Sequence, residues 1–153
     1  MKNSISDSFE EIILNSHAFN WAPDWQVVQD IYKAFPNSYS VLTPFAYSYL
    51  EELIRSNTSE YGREIYDENR NPKKRNVGMD LIKLAIKENR EKKPEFVNIL
   101  KEIKIYYYDS KSSDEGDNRH SVAHGYMHPR FWSKESFEKL IHDNARLSKF
   151  AGF

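Results

Sequence analysis

The chain has 153 residues, 22 Lys plus Arg against 23 Asp plus Glu, and no cysteine. That length suits one domain with a real core, and the near-zero net charge gives no global basic field of the kind that marks a nucleic-acid binder, although a small site needs only local charge. The absence of thiols excludes disulfides, thiolate zinc sites, iron–sulfur clusters and a cysteine nucleophile.

The N-terminal stretch 1–14 is too acidic, and its apolar run too short, for a signal peptide. No segment approaches membrane-spanning length, so a cytoplasmic protein without membrane attachment is expected. Bulky packing material is plentiful, with ten tyrosines, nine phenylalanines and three tryptophans. A first helix is predicted over 7–16, with Phe9, Ile12 and Ile13 on one side. Residues 20–24 read as a turn, after which Asp24 caps a short helix carrying Trp25, Val28, Ile31 and Tyr32; Phe35 and Pro36 break it.

Thr43 followed by Pro44 reads as an N-cap and first helical position. Phe45, Tyr49, Leu50, Leu53 and Ile54 then fall at helical spacing, and the stripe extends through Asn57 to Tyr61 and Ile65. Glu51 and Arg55, four apart in the favourable order, are expected to pair on the opposite side. Asn57, Glu60 and Glu64 are polar groups on or beside the apolar stripe, read either as internally satisfied groups or as support for a site. Residues 67–76 are a loop by composition and hold the densest positive cluster, Arg70, Lys73, Lys74 and Arg75. Such a cluster is either a solvated loop or a contact for RNA phosphates.

A helix over 78–90 presents Leu81, Ile82, Leu84, Ala85 and Ile86, and Lys92, Lys93 and Pro94 end it. Phe96, Ile99, Leu100, Ile103 and Tyr107 form the clearest amphipathic pattern; 103–108 also alternates like a strand, but with no partner strand nearby it reads as helical. Ser133 is expected to cap the last helix, with Trp132 and Phe137 spaced as a hydrophobic staple and Phe137, Leu140, Ile141 and Leu147 buried. No repeat interrupts the pattern. The sum is an all-α bundle of five or six substantial helices in one domain over 1–153.

Function is most legible in 118–126, between the polar run 109–117 and Pro129. Arg119 and His124 lie five positions apart, roughly 140° of rotation and roughly 7.5 Å of rise on a helix, within reach of one phosphate. Tyr126 would stand almost above Arg119. Gly125 costs a helix about 1 kcal/mol against alanine, and its place beside His124 points to close approach of a backbone or ligand. Histidine titrates near neutral pH and suits acid–base work; arginine keeps its charge and grips phosphate with a planar fork.

At these residues the chain resembles the HEPN family, which is marked by an arginine, four to six residues and a histidine. Arg119, His120 and His124 match, with Asp117 and Asn118 just upstream; the first 40 residues have no counterpart in that family. The resemblance implies a compact helical bundle, often a homodimer with two motifs meeting at the interface. It also implies metal-independent, cofactor-free RNA cleavage, commonly in toxins or antiviral effectors. The span from Arg119 to Tyr126 is similar to the Arg-x4-His-x-Tyr form of HepT-type toxins, whose tyrosine is adenylylated by a nucleotidyltransferase antitoxin. Here His120 stands where asparagine is commoner, and Gly125 precedes the tyrosine. On this reading Arg119 and His124 are catalytic, and Asn118, His120 and Tyr126 support them.

Three rival readings share the same residues. His120, His124 and His128 recur every four positions and would form a metal-binding stripe, although no His-Glu-x-x-His arrangement is present. A bundle of this kind also serves as a non-catalytic RNA- or nucleotide-binding and dimerisation module. The plainest reading pairs Arg119 with Asp114 or Glu115 on an ordinary bundle helix.

Overall fold

The structure, a computed structural model, describes residues 4–62 and 64–153. Residues 1–3, part of the stretch read against a signal peptide, lie outside the described residues. The described residues form seven α-helices: α1 (Ile5–Asn15), α2 (Trp21–Ala34), α3 (Tyr39–Arg55), α4 (Gly78–Asn89), α5 (Pro94–Ile103), α6 (Arg119–His124) and α7 (Lys134–Ser148). Six of them have ten residues or more, and α6 has six. The described residues form no strand, only an isolated bridge between Tyr66 and Pro72. No helix among them is long and apolar enough to cross a membrane.

The chain is organised around α3, which packs against α2, α4, α6 and α7. Its buried side contains Leu42, Ala46, Tyr49, Leu50, Leu53 and Ile54. Helices α1 and α2 join the same core: Trp25 meets Phe45 and Tyr49 edge-on at 5.1 and 5.0 Å, the favoured geometry for aromatic pairs. From the other side α7 inserts Phe137, Leu140, Ile141 and Leu147, as its periodicity predicts, and Asn144 Nδ2 donates to the Ala46 carbonyl at 3.1 Å.

Several helix ends depart from expectation for identifiable reasons. Helix α1 starts earlier because Ser4 and Asp7 form a capping box, Ser4 Oγ accepting from Asp7 N and Asp7 Oδ2 from Ser4 N. Helix α2 begins at Trp21 rather than after Asp24; Pro23 falls in the first turn, where its missing N–H costs nothing. Helix α3 begins at Tyr39, so Thr43 and Pro44 lie inside it. Thr43 Oγ1 donates back to the Tyr39 carbonyl at 2.7 Å instead of capping, and Pro44 sits on the exposed side.

The apolar stripe of α3 does not continue to Tyr61 and Ile65. Ser56 Oγ and Asn57 Nδ2 donate to the Leu53 carbonyl and Thr58 Oγ1 to that of Arg55, at 2.7, 3.1 and 2.8 Å, so side chains satisfy the carbonyls that end the helix. The expected Glu51–Arg55 pair is replaced. Arg55 lies 3.6 Å from Glu52 and donates to the Asn76 carbonyl at 2.9 Å, while Glu51 turns inward. Residues 104–107 are helical as expected, in 3₁₀ form. Ser133 caps α7 by accepting from Ser136 N at 3.1 Å, with Trp132 and Phe137 both buried as a staple requires.

Leu140 is fully buried where α7 enters the core. Leu140→Ala is expected to lower the unfolding free energy by about 2–5 kcal/mol, read as a shift of the urea midpoint at unchanged slope.

Candidate functional site

Helix α6 is short because both ends are fixed. Asn118 caps its start: Oδ1 accepts from Ser121 N at 2.9 Å, and Nδ2 donates to the Tyr108 carbonyl at 2.7 Å. Ser121 is fully buried, and its hydroxyl bonds to the Asp114 carboxylate, which also accepts from Lys111 N at 2.7 Å. The acidic loop before the motif is therefore its clamp. Gly116 anchors that loop: a Cβ there would stand 2.9 Å from Trp132 Cβ, and its carbonyl accepts from Tyr47 Oη at 3.1 Å.

At the far end Gly125 takes φ +64°, and its N–H and that of Tyr126 both bond to the Ser121 carbonyl. Apart from Gly125 itself and its two chain neighbours, no described atom lies within 4 Å of where a Cβ at Gly125 would be. The glycine answers the left-handed turn, and the close approach expected of it is not found within the chain. That turn takes Tyr126 off the helix and leaves it 59% exposed, not stacked above Arg119.

The half-buried Arg119 pairs with neither Asp114 nor Glu115. Its Nε lies 2.8 Å from Oε1 of the buried Glu51, and the same oxygen accepts from Gly78 N at 3.3 Å. The pair is made through Nε, and a guanidinium carries further donors beyond that edge. Arg119 and Glu51 line a cavity of about 130 Å³ with Pro44, Tyr47, Ser48, Val122 and Ala123. Burial first, then the neighbouring Tyr107 phenol and the Asp117 and Asp114 carboxylates, push the Tyr47 phenol well above its ordinary value, so it stays a neutral donor. Tyr107 is also pushed up, by burial and then by the Glu51 charge, against the opposing pull of Arg119 and Arg55.

His120 and His124 occupy the next face of α6, exposed, with ring centroids 4.4 Å apart. That face is about 100–140° round the helix from Arg119. His128 leaves the stripe: it caps a 3₁₀ turn, Nδ1 accepting from Arg130 N at 3.2 Å. Among the described residues no three His, Asp or Glu side chains are grouped to hold a metal ion.

The other expected site residues hold the scaffold. Asn57 accepts from Lys93 Nζ at 2.6 Å, Glu60 receives both the backbone and side-chain N–H of Asn76 at 2.9 Å, and Glu64 accepts from Tyr66. Arg70, Lys73, Lys74 and Arg75 are exposed on a loop that Asp67 ties back through Asn69 N and Asn71 N. That loop runs through Asn76 into Gly78, whose N–H reaches Glu51, so its downstream end abuts the arginine. Sequence reasoning missed Glu51, Tyr47 and Ser48. The available signal was that Glu51 falls among Tyr47, Leu50 and Ile54 on the buried side of α3, a costly place for a carboxylate unless a cation meets it.

Fold and site together define a small all-helical protein in which an arginine–glutamate pair borders a groove beside two neighbouring histidines whose rings are tilted 59° to each other. No family model, curated protein or solved structure matches this chain.

Glu51→Ala and Arg119→Ala are each expected to cost about 1–3 kcal/mol, because each leaves a partly buried charge without its partner. The double variant should cost less than the sum of the two, as chemical denaturation of all four proteins would read.

Proposed function

We propose that this chain is a HEPN-like endoribonuclease that cleaves RNA without a metal ion or cofactor, as a toxin or antiviral effector in the cytoplasm. The observation that carries this reading is an arginine anchored by Glu51 in a groove, with two exposed imidazoles on the adjoining face of the same short helix.

RNA brings its own nucleophile. The 2′-oxygen attacks phosphorus as its proton passes to a base, and the 5′-oxygen departs with a proton from an acid. The products are a 2′,3′-cyclic phosphate and a free 5′-hydroxyl. His124 is the acid–base group, His120 assists it, and Arg119 stabilises the charge on the phosphorane. A second copy of α6 in a homodimer supplies the second histidine and a second arginine. The loop carrying Arg70, Lys73, Lys74 and Arg75 adds phosphate contacts that position the strand without reading sequence. Exposed Tyr126 is accessible to a nucleotidyltransferase antitoxin.

One observation favours a second reading. Glu51 already balances the charge of Arg119, and the imidazoles flank the groove rather than line it. An RNA- or nucleotide-binding and dimerisation module needs no more than this.

Purified protein incubated with labelled RNA and a chelator separates the two. The nuclease reading expects cleavage with cyclic-phosphate ends, reduced about 10²–10⁴-fold in His124→Ala and comparably in Arg119→Ala, with helical circular dichroism unchanged. Binding without turnover by the wild type would establish the module instead, and cleavage that persists in His124→Ala would remove His124 from the mechanism.

A further inference from the structure

Glu51 balances Arg119 in the structure, yet a guanidinium that steadies a phosphorane must turn its charge to phosphate. Once Arg119 does so, Glu51 is left as a buried carboxylate, which is costly unless another donor meets it. Two buried donor atoms in this part of the molecule have no hydrogen-bond partner among the described residues: Tyr107 Oη and Arg55 Nε. Arg55 stands one helical turn after Glu51 on α3. Tyr107 closes the 3₁₀ turn at 104–107, and its Cδ1 lies 3.8 Å from where a Cβ at Gly78 would stand. The Gly78 N–H is the group that bonds to Glu51 at 3.3 Å, so the Tyr107 ring packs beside that contact. After burial itself, the Glu51 charge is the largest influence on the Tyr107 phenol, pushing it up. Native proteins seldom leave a buried hydroxyl unpaired, and packing does not require this one, since phenylalanine fills nearly the same space.

We infer that the Tyr107 hydroxyl is the second partner of Glu51, donating to its carboxylate when Arg119 turns onto a phosphate, with the cation of Arg55 one turn further along α3. Tyr107 does not line the Arg119 cavity, so it touches no substrate there and acts as a positioning residue. The phenol stays neutral and donates a hydrogen bond; no proton is transferred. Glu51 then balances Arg119 only while the groove holds no phosphate. The use of this exchange in cleavage rests on the nuclease reading, but the two partners of Glu51 are testable without RNA.

Tyr107→Phe removes only the hydroxyl, and chemical denaturation reads its effect. In the otherwise wild-type chain the unfolding constant should stay the same or fall, because the lost group was unpaired. In the Arg119→Ala chain, where Glu51 has lost its arginine, Tyr107→Phe should raise the unfolding constant roughly tenfold. With Glu51→Ala added to Arg119→Ala, the same change should again have no effect. A chain with Arg119→Ala and Tyr107→Phe that fails to fold, and regains helical circular dichroism when Glu51→Ala is added, is the same result at its extreme. An equal effect of Tyr107→Phe in all three backgrounds would overturn the exchange, as would a folding failure that Glu51→Ala does not rescue.

On labelled RNA, Tyr107→Phe should lower kcat roughly tenfold with KM nearly unchanged, a split that a mere packing role does not produce. Unchanged kcat in a cleaving protein would remove Tyr107 from the reaction. A wild type that cleaves nothing would sink the nuclease reading, and the denaturation cycle would still decide the partners of Glu51.

Discussion

The carboxylate of Glu51 is the constraint on which the rest of the site depends. It sits on the buried side of α3, where an unpaired charge would be costly. Its near oxygen takes Nε of Arg119 and the backbone N–H of Gly78. One oxygen thus joins the middle of α3, the first residue of α6 and the start of α4. The arginine cannot sweep freely through solvent, and the basic loop that ends at Gly78 is fastened beside it.

The motif helix is held by polar contacts more than by apolar ones. Val122 is its one buried apolar side chain, and it adds Ser121, whose hydroxyl goes to Asp114. Asn118 joins it to the Tyr108 carbonyl, and Gly125 ends it after six residues. Polar fastening of this kind fixes orientation better than it adds stability, since each hydrogen bond contributes only about 0.5–1.5 kcal/mol net. An acidic loop before a basic motif looks like an electrostatic counterweight; here it is a mechanical clamp.

Two surfaces of different character emerge. Around α6 a guanidinium in a small groove adjoins exposed imidazoles and a phenol, groups that recognise phosphate and move protons. Along α7 acidic and basic side chains pair with one another inside the chain, Glu138 with Lys134, Arg146 with Glu102 and Asp143, and Lys149 with Glu11.

The sequence by itself determined the helical class, the faces of α4, α5 and α7, the cap at Ser133 and the loop at 67–76, because these depend on residues within a turn or two of one another. It misread the starts of α2 and α3 and the end of α3. There competing local signals were settled by which residues the core could bury and by side chains that took the terminal carbonyls. It isolated Arg119 and His124 as chemically apt but supplied the wrong partners, Asp114 or Glu115 for the arginine and Arg55 for Glu51. Only the tertiary structure decided that Glu51 and Arg119, distant along the chain, share one ion pair. A periodic pattern records which way a side chain faces and carries no information about which distant group it will meet.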